Sequence, residues 1–188
     1  MTRDEAYNLM TEWTESDSLR KHMLAVEAAM RFYAKKFNED EEKWAIVGLL
    51  HDMDYEKHPT PEEHPYVAVE YLKGIGVDEE ITRAILVHAD YSGVQPESLM
   101  DKAILAVDEL CGFITACAYV RPGKTMDGMK VKSVKKKMKS AGFARAVKRE
   151  DITRGAELLE ISLEEHIQNV IDAMREAAPA LGLAGEEI

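Results

Sequence analysis

Cysteine is almost missing from this 188-residue chain. Cys111 and Cys117 are the only two, six positions apart on one predicted helix, so neither a disulfide framework nor a CxxC metal knuckle can be built. They read as free, partly buried thiols. Long apolar runs are missing too. No stretch approaches the ~18 apolar residues of a membrane span, and the opening residues MTRDEAYNLM lack the basic and apolar regions of a secretory leader. The expectation is a soluble, cytoplasmic protein with no membrane partner. Basic residues are outnumbered, 24 Lys and Arg against 35 Asp and Glu, for a formal net charge of −11. That balance argues against a nucleic-acid coat or an anionic surface as partner. Strand-like alternation, internal repeats and low-complexity tracts are absent as well, which leaves an all-α fold. With 46% hydrophobic residues, the chain fits one domain over 1–188 that buries roughly 70% of its unfolded-chain surface.

What is present is a series of capped amphipathic helices. Thr2 caps a helix to Trp13, with Ala6, Leu9, Met10 and Trp13 on one side. Ser16-Asp17-Ser18 opens a second, striped by Leu19, Met23, Val26, Met30 and Tyr33. A third starts at Asn38 to Asp40 and carries Trp44, Val47 and Leu50. Thr60-Pro61-Glu62-Glu63 has the form of a capping box with proline at the first helical position, predicting a helix from there to Gly74-Ile75-Gly76. Asp78 begins the next, and Glu97 to Tyr119 is a long, strongly apolar helix. A short basic helix follows at Lys130 to Lys139, and helices over Glu150 to Leu159 and Ser162 to Ala178 close the chain.

Ligand-type side chains stand at unusual places in these helices. His22 falls inside the apolar stripe of the second. His51 and Asp52 are adjacent at the end of the third; neighbours on a helix point about 100° apart, so both reach one ion only near a helix end. His64 opens the next segment, His88 closes the stripe of Ile81 and Ile85, and Asp108 sits among core residues, where a carboxylate needs a partner. Imidazoles and carboxylates are the ligand set of Fe, Mn, Zn, Co or Ni. Any one of these histidines alone reads as a hydrogen-bonded core residue; four of six at helix ends or apolar faces point to a shared reason. His166, one position off the last helix's stripe, reads as structural or exposed.

The order His22, His51-Asp52, Asp108 resembles the signature of the HD superfamily of metal-dependent phosphohydrolases over about Leu19 to Val120. The basic segment and C-terminal helices, 121–188, are then additions to an HD-domain helical bundle, as is the N-terminal helix. The resemblance implies that those four residues hold one divalent ion. The extra His64 and His88 resemble the two-metal branch, which includes HD-type diadenosine tetraphosphate hydrolases and cyclic dinucleotide phosphodiesterases; there Asp52 would bridge, and Asp52, His64 and His88 would hold a second ion. Two departures stand out. Met53-Asp54 replaces the Ile-Gly of the common HDIG variant, and the Gly-Tyr-Pro motif of the cyclic di-GMP enzymes is absent.

The implied chemistry is hydrolysis of a phosphoester or phosphoanhydride in a nucleotide or other small phosphorylated metabolite by metal-activated water. Arg20, Arg121 and Lys124 are the candidate substrate-binding cations; Lys57 or His58 would protonate the leaving oxygen. From Arg121 to Lys139 eight basic residues (121, 124, 130, 132, 135, 136, 137 and 139) face the single acid Asp127, a solvated face or a patch that steers an anion. An HD-type di-iron oxygenase uses a similar ligand set, and a non-catalytic nucleotide-binding module is the alternative from another class. The basic segment ranks the hydrolase first. Oligomeric state is not legible.

Overall fold

The computed structural model describes residues 1–185, so the last three positions of the expected 1–188 domain lie outside the described residues. The described part is all-α. Its ten helices are α1 (Arg3–Trp13), α2 (Asp17–Phe37), α3 (Glu41–Leu50), α4 (Tyr66–Gly74), α5 (Glu79–His88), α6 (Leu99–Tyr119), α7 (Val131–Met138), α8 (Arg149–Leu158), α9 (Leu163–Glu176) and α10 (Ala178–Leu181). Among the described residues no helix is long and apolar enough to cross a membrane. The helix starts follow local chemistry. Thr2 accepts from the Glu5 N–H while the Glu5 carboxylate takes the Thr2 N–H, and Ser16, Asp40, Asp78 and Ser162 each accept from the first turn that follows.

The centre of the bundle is α3, buried from Trp44 to Leu50 without a polar face. It crosses α2 so closely that a Cβ on Gly48 would stand 2.6 Å from the Glu27 Cα. A second close crossing joins α6 to α8, where a Cβ on Gly155 would stand 2.6 Å from the Ala106 Cα. These two glycines set the spacing of the helices that surround the ligand-type residues.

One predicted helix starts late. Glu63 and His64 N–H groups do bond back to the Thr60 carbonyl, at 3.0 and 2.8 Å, but the Thr60 hydroxyl goes to the Glu63 carboxylate rather than taking the Glu63 N–H. Pro65, which follows a cis bond, has no N–H with which to continue the ladder. Residues 51–65 therefore form a chain of turns, and α4 begins at Tyr66.

His166 also differs from the expectation that it could be exposed: it is fully buried. Its Nε2–H donates to the Ala106 carbonyl of α6 at 2.8 Å and its Nδ1 accepts from the Tyr33 hydroxyl of α2 at 2.6 Å, so it pegs α9 to two helices. Burial pushes its pKa down to about 4, against the opposing pull of the Ala106 carbonyl. A folded-state value below the unfolded ~6.5 means that stability is complete above pH 6.5 and is lost as pH falls toward 4. Between pH 7.5 and pH 5 the imidazole should remove on the order of 2 kcal/mol. His166→Gln, which takes up no proton, should show a correspondingly flatter pH dependence in urea unfolding; parallel curves for the two proteins would refute the assignment.

Candidate metal centre

Five elements bring the six expected ligand residues together: α2 supplies His22, the end of α3 supplies His51 and Asp52, the turn before α4 supplies His64, the end of α5 supplies His88, and mid-α6 supplies Asp108. They form two groups, His22, His51 and Asp108, and Asp52, His64 and His88, each with ligand atoms within 4.8 Å of one another. Asp52 stands between the groups. Its Oδ2 lies 3.5 Å from His51 Nε2 and 3.8 Å from His22 Nε2, while its Oδ1 lies 3.4 Å from both His64 Nε2 and His88 Nε2. Two ligands about 2.1 Å from one ion are roughly 3.0 to 3.5 Å apart, so these spacings are those of a coordination sphere.

Hydrogen bonds on the far side of three rings fix which nitrogen faces inward. His51 Nδ1 donates to the Gly48 carbonyl at 2.9 Å, His88 Nδ1 to the Ile85 carbonyl at 2.5 Å, and His64 Nδ1 to the Asp54 carboxylate at 2.7 Å. Each Nε2 is then left with a lone pair. His51 Nε2 is buried with no hydrogen-bond partner, and His64 and His88 point their Nε2 atoms at each other across 3.2 Å. Facing lone pairs repel unless a cation lies between them. The donor set therefore fits divalent ions, and the electrostatics agree. Burial opposes charge on these groups, yet the carboxylates overcome it: beside Asp52 and Asp108, His51 is pushed up to about 9, so at neutral pH its Nε2 holds a proton that a divalent ion would displace to reach the lone pair. Asp52 and Asp108 in turn are held well below the usual carboxylate range against burial, Asp52 chiefly by His51 and Asp108 by His22 and His51.

Asp54, two residues beyond Asp52, is a positioning group that the sequence reading passed over. It is fully buried, takes the Ala68 N–H at 2.8 Å on one oxygen and holds His64 Nδ1 on the other. The only signal for it was a second acid in the HDMD run. Asp54→Ala is expected to lower affinity for the ion held by His64 and His88 by about 10- to 100-fold. The ion at His22 and His51 should be retained, and a chelator titration that showed two unchanged affinities would contradict this role.

The ligands open into a cavity of about 480 Å³, of a size for a small metabolite. Tyr55 and Tyr91 line it; the Tyr55 ring meets His64 edge-on at 5.1 Å. Glu109 lines it as well, its carboxyl pushed up to about 7 by burial and then by the charge of Asp108. The cations in the wall are Lys148 and Arg154 of the α8 region. None of the cations expected from sequence lines this cavity. Arg20 instead ties the α1–α2 corner, donating to the Thr14 and Thr11 carbonyls at 2.5 and 2.6 Å. Arg121 donates to the Asp127 carbonyl at 2.6 Å, and Lys124 sits in the turn that follows Arg121. His58 pairs with Glu63 at 3.1 Å, and neither it nor Lys57 reaches the cavity wall. The basic segment 121–139 contributes nothing to the wall; its Lys135 pairs with Glu164 and its Lys137 covers the Phe143 ring.

Residues 19–111, from α2 to the middle of α6, match the family model of the HD domain over just under half of the chain. All six clustered residues fall inside the match. No curated protein and no solved structure gives a significant match. The fold is all-α, with α1 before the matched segment and α7 to α10 after it.

Proposed function

We propose that this HD-domain bundle is a metal-dependent phosphohydrolase, acting on a phosphoester or phosphoanhydride of a nucleotide or similar small metabolite. HD domains as a family bind divalent metals and hydrolyse phosphate esters, and one observation carries the reading to this chain: Asp52 offers one oxygen to each of two imidazole pairs. His22, His51, Asp52 and Asp108 would hold one ion, and Asp52, His64 and His88 a second, from among Fe, Mn, Zn, Co and Ni. The second group supports a place near the two-metal, diadenosine tetraphosphate hydrolase-like branch. Divalent ions in this setting supply Lewis-acid charge and a water acidified toward neutral pH.

The chain's own groups supply the rest. Five carboxylates and two cations line the cavity, so its intrinsic field repels phosphate, and ion loading reverses that sign. Asp54 keeps the His64 lone pair directed inward. Glu109, a carboxyl in the cavity wall whose pKa burial raises, is the cavity group proposed to protonate a leaving oxygen, in place of Lys57 or His58. The oxygenase and binding-module alternatives use the same ligands, and no feature of the cavity favours either.

The test is metal analysis by mass spectrometry on protein purified without chelator or oxygen, followed by a phosphoester screen with and without dioxygen. Two ions per chain and oxygen-independent phosphate release are expected. Oxygen consumption without phosphate release would put the oxygenase first, and failure to bind metal even from supplied Mn or Fe would overturn the reading.

A further inference from the structure

Part of the cavity wall is built by a helix outside the HD match. Gly155 lets α8 lie against Ala106 of α6, and this contact carries Lys148 and Arg154 to the cavity. They are the only Lys or Arg among the described residues that line it. Leu105 and Leu158 line the space with them. Their present partners are weak. Arg154 reaches the Asp90 carboxylate at 3.2 Å, while Lys148 is 4.0 Å from Asp90 and 3.9 Å from Asp151. The Lys148 and Arg154 side chains are 65% and 45% exposed, and exposed pairs of this kind contribute about 0 to 1 kcal/mol. An anion brought into the cavity would exchange with Asp90 at little cost. The ion pairs of Lys148 and Arg154 go to Asp90 and Asp151 and to none of the ligand carboxylates.

Resting on the phosphohydrolase reading above, we propose that Lys148 and Arg154 bind a second anionic group of the substrate, a carboxylate or phosphate separate from the scissile phosphoryl. The enzyme thereby selects doubly anionic metabolites over simple monophosphoesters. The selecting residues come from the C-terminal addition, not from the HD segment.

Calorimetry on Mn-loaded protein with two matched probe pairs tests this: glycerol 3-phosphate against 3-phosphoglycerate, and glucose 6-phosphate against glucose 1,6-bisphosphate. The first pair adds a carboxylate at short range, the second a phosphate at longer range. Wild type is expected to bind the doubly anionic member of at least one pair about tenfold or more tightly. The Lys148→Gln/Arg154→Gln double variant should lose that advantage, while its affinity for the singly anionic partners stays within about twofold and its metal content and Tm are unchanged. No preference in wild type, a preference that survives the double change, or an equal loss for both members of a pair would each overturn the proposal. A preference that persists in a protein that releases phosphate from no ester would sink the hydrolase reading and leave the anion site standing.

Discussion

Asp52→Ala is expected to release both ions and to lower phosphoester turnover by at least about a thousandfold. The reason is geometric. Oδ2 belongs to the His22 and His51 side and Oδ1 to the His64 and His88 side, so one substitution opens both coordination spheres. Removing a histidine opens only one: His64→Ala or His88→Ala should leave a single ion per chain. The pattern across the three variants, read by metal analysis beside the rate, separates a shared carboxylate from two independent sites. Two ions retained in Asp52→Ala would end the bridging assignment. Full metal content and rate in both histidine variants would end the two-ion assignment.

Gly48→Ala is expected to cost roughly 3 kcal/mol or more, a large effect for one added methyl. The new Cβ would meet the Glu27 Cα at 2.6 Å, the Glu27 N at 2.7 Å and the Val26 carbonyl carbon at 2.9 Å. All three are backbone atoms, so no side-chain rotation relieves the contact and α2 must move away from α3. His22 rides on α2 and His51 with Asp52 on α3, so metal affinity should fall together with stability. Gly74→Ala at the end of α4 is the control, since its Cβ meets nothing within 4 Å. It should change urea stability by less than about 1 kcal/mol in either direction. Equal midpoints for the two variants would show that the α2–α3 crossing is looser than described.

Much of this fold was legible because helix starts are written locally. Thr2, Ser16, Asp40, Asp78 and Ser162 each precede an apolar stripe, and each caps a helix in the structure. Thr60 carried the same signal and did not start a helix, because the Pro65 that interrupts it lies outside the four-residue motif. The ligand residues were legible for a related reason: a histidine at the end of an apolar stripe has to be directed inward. The α8 wall of the cavity was not. It depends on Gly155 meeting Ala106, a contact between residues 49 positions apart that leaves no periodic trace. Arg20 was misplaced because nearness in sequence to His22 says nothing of which way a guanidinium turns, and two unpaired carbonyls at the α1–α2 corner were closer. Asp54 was visible but lacked a partner until the turns brought His64 back over it.

His51 and His88 each spend Nδ1 on the carbonyl three residues earlier, Gly48 and Ile85, which are last-turn carbonyls of the kind a helix end leaves unpaired. The rings therefore finish their own helices with one nitrogen and face the centre with the other. An ion held by those Nε2 atoms would therefore brace the last turns of α3 and α5, and metal loading should slow amide hydrogen exchange at those two helix ends more than in the rest of the core.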